Sequence, residues 1–116
     1  TVGWDGDADD PGFDYGNGLA WLDHPAGELQ AERQKAFESQ ATLLNHVMHI
    51  VAMVRRQGHT WYYIKNSWGH DSNQLGGFLY MNDDYFMMRT VAIMVHRNAI
   101  PEAIQRKMGL APAGNK

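Results

Sequence analysis

Hydrophobic and polar positions change period several times along the chain. Between Asn45 and Arg56, Val47, His49, Val51 and Met53 occupy one parity and His46, Met48, Ile50, Ala52 and Val54 the other. Both sets are largely apolar, the pattern of a β-strand covered on both faces. Gln57, Gly58 and His59 supply a turn, and Trp61 to Lys65 is aromatic and β-branched enough to be the returning strand. Asn66 to Gly77 reads as a polar loop interrupted by Trp68, Phe78 to Met81 as another short strand, and Asn82 to Asp84 as turn or cap chemistry. Arg89 to His96 repeats the β pattern, with Val91, Ile93 and Val95 facing one way. Upstream, Leu29, Ala36, Phe37 and Leu44 are separated by Glu, Gln, Arg and Lys, which predicts one helix near residues 29–39. Pro101 and Glu102 in front, Arg106 and Lys107 behind, and Gly109 as terminator outline a short closing helix. Residues 1–27, rich in Gly and Asp, read as loop with short extended pieces, and Ala111 to Lys116 as a mobile tail. The expected fold is α+β: an antiparallel, barrel-like sheet, two short flanking helices and long loops, in one domain spanning residues 1–116.

Charge and composition remove several function classes. Ten Lys and Arg against thirteen Asp and Glu give a formal charge of −3, with no basic excess to neutralise nucleic-acid phosphates or dock on an anionic membrane. The longest apolar runs, Ile50 to Val54 and Val91 to Val95, reach about a quarter of the roughly 20 residues a spanning helix needs. With no cysteine, the chain has no disulfide, no thiolate metal ligand and no thiol nucleophile of its own. Asp5, Asp7 and Asp9 imitate the start of a calcium loop, but Asp10 stands where the central Gly is needed and Gly16 where the closing Glu is needed. No metal and no organic cofactor is expected. The chain begins at Thr1 with no basic-then-apolar leader visible, so a fragment or processed product whose true amino terminus lies upstream is expected; the expected location is the cytoplasm.

The most informative stretch, Asn45 to Gly69, holds an imidazole, a carboxamide and an indole at hairpin spacing. In an antiparallel hairpin, paired residue numbers keep a constant sum and side chains alternate faces, so His46 and Asn66 share a face only when that sum is even. A three-residue loop, Gln57-Gly58-His59, meets the condition by pairing Arg56 with Thr60, Met48 with Trp68 and Ile50 with Asn66. His46, Asn66 and Trp68 then cluster. His49, three residues on, faces away, which argues against a zinc pair with His46. His24, His59, His70 and His96 read as solvated, and Asp7 as a solvated loop carboxylate. Trp4, Trp21, Trp61, Tyr62, Tyr63, Phe78 and Tyr80 read as core, with Met48, Met53, Met87, Met88 and Met94 as gap-fillers.

The run IKNSWG at Ile64 to Gly69, preceded by NHVMHIVAM at Asn45 to Met53 and followed by GGFLYM at Gly76 to Met81, resembles the C-terminal half of papain-like cysteine peptidases. VGWDGDADDPGF at Val2 to Phe13, AERQKAF at Ala31 to Phe37, MNDDYF at Met81 to Phe86 and IMVHRNAIPEAI at Ile93 to Ile104 resemble the bleomycin hydrolase and aminopeptidase C branch. The resemblance implies the His- and Asn-bearing lobe of such an enzyme. His46 then matches the catalytic histidine, Asn66 the asparagine that orients it and Trp68 the indole that shields their hydrogen bond. It further implies a peptide substrate, a missing amino-terminal lobe that carries the nucleophilic Cys and an oxyanion Gln, and a homo-oligomer, a hexamer by resemblance to the branch. Leu110 matches the branch's usual end, whose carboxyl-terminal residues block the non-primed cleft and confine cutting to free amino ends; residues 111–116 extend beyond it. One departure stands out: Val47 occupies a position that is very small in the family. The alternative is a non-catalytic binding or assembly module derived from a peptidase lobe.

Overall fold

In a computed structural model, residues 2–23 and 29–110 are described; the expected tail at 111–116 and His24 lie outside them. The chain runs β1 (Val2–Gly6), β2 (Phe13–Asp14), β3 (Leu19–Ala20), α1 (Leu29–Glu38), β4 (His46–Arg56), β5 (His59–Lys65), β6 (Phe78–Asn82), α2 (Asp83–Arg89), β7 (Thr90–Met94) and α3 (Glu102–Lys107). The strands form one sheet in the order β2-β3-β6-β5-β4-β1-β7, curled into a half-barrel. The mixed α+β class, the helix at 29–38, the central hairpin and the closing helix agree with the pattern in the sequence. None of the described helices is long and apolar enough to cross a membrane.

Three expectations about the fold need correction. The sheet is not wholly antiparallel, because β3 pairs in parallel with β6. The chain passes through α1, β4 and β5 between those two strands, so no tight turn dictates their relative direction. A third helix, α2, replaces the expected turn at 82–84. Asn82 caps it by accepting the Tyr85 N–H at 2.9 Å, and the burial of Tyr85 and Met88 holds two turns that are too short to stand alone. Finally, β4 is not covered on both faces: Val47 is 57% exposed, Val54 49% and Met53 70%. Apolar alternation records which side chains favour burial, and the described residues leave this stretch bare.

The core occupies one face of the sheet. Trp4, Met48, Ile64, Leu79 and Met81 project from β1, β4, β5 and β6, joined by Ala20 and Tyr85. The remaining expected core aromatics divide. Tyr62 packs against this cluster and stacks on Phe86 at 4.1 Å. Tyr63 instead stacks on Phe78 at 4.9 Å and meets Tyr80 at a tilt, with centroids 4.8 Å apart, across the opposite face, and Trp21 lies on Trp61 at 5.3 Å. Of the methionines, Met48 and Met88 are buried, whereas Met53, Met87 and Met94 are exposed.

Gly6 is required by close approach. A β-carbon there would lie 2.2 Å from the Arg89 carbonyl oxygen and 2.5 Å from the Trp4 ring. Since Gly6 pairs with His46 in the β1–β4 ladder, any displacement reaches the site directly. Gly6→Ala is expected to cost about 1–3 kcal/mol in urea unfolding. Wild-type stability for this variant would contradict the packing described.

Candidate active site

The parity condition for bringing His46 and Asn66 together is met by a route different from the expected one. The hairpin loop has two residues, Gln57 and Gly58, both at positive φ (53° and 81°), and Arg56 pairs with His59 rather than Thr60. That backbone matches the tight turns whose twist suits a hairpin. Continued unchanged, this register would place His46 and Asn66 on opposite faces. A bulge between Ile50 and Ala52 makes Val51 an extra residue, and from Ile50↔Ile64 and His49↔Lys65 onward the parity is even. The expected pairs Met48 with Trp68 and Ile50 with Asn66 are therefore replaced, while the shared face is kept.

His46 Nε2 lies 2.6 Å from Asn66 Oδ1. The same oxygen accepts the backbone N–H of Ser67 at 2.8 Å. Turning the carboxamide over would set an NH2 group against that N–H, so Oδ1 must face both neighbours and Nε2 must carry the proton. Nδ1 is left to exchange a proton with whatever approaches it. Asn66 is only 3% exposed, and its Nδ2 is buried with no hydrogen-bond partner. An unmet donor is costly, which leaves the two bonds at Oδ1 as the side chain's stabilising contacts. Trp68 lies over His46 with ring centroids 4.9 Å apart and planes tilted by 44°. Its outer surface is open, the residue being 54% exposed. Val47 and His49 point to the other face, opposite Asp5 and Gly3 of β1, so Val47 does not crowd the imidazole and His49 cannot share a metal with it.

The approach to His46 is fixed by residues whose role the sequence concealed. Asp7 is buried rather than solvated, and its carboxylate accepts the N–H groups of Leu43 and Asp9 and the Asn45 carboxamide, all at 2.9 Å. Burial opposes its charge, but these hydrogen bonds and the Arg89 guanidinium outweigh it and hold the carboxyl below its ordinary range. Asn45 in turn accepts the Ala8 N–H, so the loop from β1 is tied to the residue preceding His46. Arg89 pairs with Asp10 at 2.8 Å and closes the same loop. The spacing Asp7…Asn45 carries no local motif that could have announced this contact.

Among the described residues, His59, Asp83 and Asp84 are the group whose ligand atoms come close enough for a cation, all within 4.8 Å. Two of those atoms are already spent on each other, since His59 Nδ1 lies 2.8 Å from Asp83 Oδ1. His59 is thus an ion-pair member, not a solvated imidazole. The hydrogen bond to Asp83 raises its pKa despite opposing desolvation, with further attraction from Asp83, Asp84 and Asp23. Asp83 is shifted down: burial opposes the charge, but hydrogen bonds from His59 and from the Thr60 and Asp84 backbone prevail. The His59 contribution is complete below the free imidazole value and is lost as pH rises through the raised one. The Asp83 contribution is complete above the free carboxyl value and is lost as pH falls through the lowered one. The pair accordingly stabilises most between about pH 4 and pH 6.5. His59→Gln should lower the melting temperature most at about pH 5, with the deficit shrinking above about pH 7. A deficit that grows with pH would contradict the pairing.

A model of the Peptidase C1-like family matches residues 21–114 of the chain. The chain belongs to the Peptidase C1-like family. His46, Asn66 and Trp68 all fall inside the matched span. Membership makes the protein a relative of papain-like cysteine peptidases and gives it a peptidase-related origin. No curated protein matches it.

Proposed function

We propose that the chain is the His- and Asn-bearing lobe of a cysteine aminopeptidase of the bleomycin hydrolase type. The observation that carries this reading is the 2.6 Å contact between His46 Nε2 and Asn66 Oδ1 beneath Trp68. With Nε2 committed to Asn66, Nδ1 takes a proton from a cysteine that lies outside these 116 residues and later returns one to the leaving amine. The charge on the imidazole then holds the sulfur as thiolate, which a free thiol near pKa of about 8.5 does not reach at neutral pH. The thiolate attacks the scissile carbonyl, the amine departs with the proton, and water hydrolyses the resulting thioester. Trp68 excludes water from the Nε2–Oδ1 bond and strengthens it. No metal or organic cofactor enters this chemistry, and a cytoplasmic location suits it because thiols stay reduced there.

The test is to supply the Cys-bearing sequence and compare an aminoacyl amide with its N-acylated counterpart. Hydrolysis of the free-amine substrate alone, and only when both parts are present, is expected. Equal turnover of both substrates would reject the aminopeptidase assignment while leaving the peptidase intact. A second reading, a non-catalytic assembly module, predicts no turnover under either condition.

Both readings give the bare apolar surface a partner. With Val47, Val54, Met53 and Met94 all exposed, the isolated chain is expected to self-associate. Sedimentation as a well-behaved monomer would contradict this.

A further inference from the structure

Trp68 lies in a bend outside every strand, more than half exposed, and is followed by Gly69 at φ 101°. Nothing in its own segment explains why the indole stays over His46. Its second ring neighbour is Tyr15, whose ring meets Trp68 edge to face, with centroids 4.8 Å apart and planes at 83°. Tyr15 is stacked in turn on Phe13 at 6.0 Å, and Phe13 lies 6.2 Å from the fully buried Tyr85. A row of rings therefore runs from the core to the imidazole: Tyr85, Phe13, Tyr15, Trp68, His46.

The hydroxyl of Tyr15 adds a second hold. Ser72 Oγ donates its one proton to the Gly69 carbonyl at 2.6 Å, so in its contact with Tyr15 Oη the phenol must be the donor. The relay joins Tyr15 to the residue directly after Trp68. Asn73 reinforces the dock by donating to the Tyr15 carbonyl at 3.0 Å while accepting the N–H groups of Leu75 and Gly77. Gly18, at φ 72°, presses against Leu75 where a β-carbon would lie 2.3 Å from Cδ1.

We propose that Tyr15 is a positioning residue for the candidate active site: its ring seats Trp68 over the His46–Asn66 bond, and its hydroxyl locks the turn after Trp68. The inference rests on the reading of His46, Asn66 and Trp68 given above and adds to it a residue outside the Peptidase C1-like match. Tyr15 touches none of the reacting atoms.

The test measures solvent exchange of the His46 Nε2 proton by NMR in the enzyme assembled with its Cys-bearing lobe, with the His59–Asp83 pair as internal control. Tyr15→Leu should accelerate exchange by about three- to tenfold, the factor expected for loss of one aromatic edge contact. Tyr15→Phe, which keeps the ring and removes the relay, should give a smaller acceleration, and His59 should titrate as in wild type throughout. If Tyr15→Leu does not fold, the smaller acceleration in Tyr15→Phe decides the matter. Wild-type exchange in the Tyr15 variants, while Trp68→Ala accelerates it, would overturn the proposal and leave the site reading standing. An equal disturbance of His59 would also overturn it, by making Tyr15 a general support of the fold. Wild-type exchange in both Trp68→Ala and Asn66→Ala would defeat the site reading itself and take the proposal with it.

Discussion

His46→Ala is expected to lower kcat/KM of the enzyme completed by its Cys-bearing lobe by about 10³- to 10⁴-fold, because one substitution removes both the base and the acid of the proposed reaction. Asn66→Ala should cost less, about 10- to 100-fold, the value of one buried hydrogen bond to a group that becomes charged. The order of the two effects matters more than either size. In the proposed arrangement the carboxamide only orients the imidazole through Nε2, and an unguided ring still reaches the sulfur part of the time. Comparable turnover by His46→Ala and wild type in a steady-state amide assay would dismiss the assignment. An Asn66→Ala loss exceeding that of His46→Ala would show that Asn66 does more than orient.

The second large effect concerns the fold. Trp4 lies on β1, between β4 and β7, with none of its surface exposed. Its Nε1 donates to the Thr90 hydroxyl at 2.7 Å. Trp4→Ala opens a cavity in the centre of the core and strands that hydroxyl, at an expected cost of about 3–5 kcal/mol. Small domains have only about 5–15 kcal/mol in total, so this variant should lose a large share of the chain's stability. Trp4→Phe keeps most of the volume and should lose far less. Denaturant unfolding of the two variants checks the ranking, and equal midpoints would contradict the packing.

How much of this could be read from the chain differs from residue to residue. The Asn45 to Lys65 hairpin was legible because aromatic and β-branched residues flank a Gln-Gly turn, and side-chain alternation limits the outcome to two registers. The shared face of His46 and Asn66 was legible only as a parity condition. The chain meets it with a two-residue loop plus the extra residue Val51 instead of a three-residue loop, and no pattern marks Val51 as the bulge. The contacts of Asp7 with Leu43 and Asn45, and of Tyr15 with Trp68, join residues far apart in sequence through tertiary packing that periodicity does not encode. Helix α2 was hidden for a related reason, since Tyr85 and Met88 become helix-stabilising only against a sheet already in place. Apolar alternation in β4 promised cover on both faces, but alternation names the side chains that favour burial without naming what covers them.

The reactivity of the cysteine in the proposed Cys-bearing lobe tests the central claim most directly. In the assembled enzyme, the rate of alkylation by iodoacetamide as a function of pH reports when the sulfur ionises. If His46, steadied by Asn66, supplies the cation, the midpoint should fall from about 8.5 to within or below about 3.5–7.5. It should return toward the free-thiol value in His46→Ala. A midpoint near that of a free thiol with His46 present, or one that His46→Ala leaves unmoved, would contradict the account.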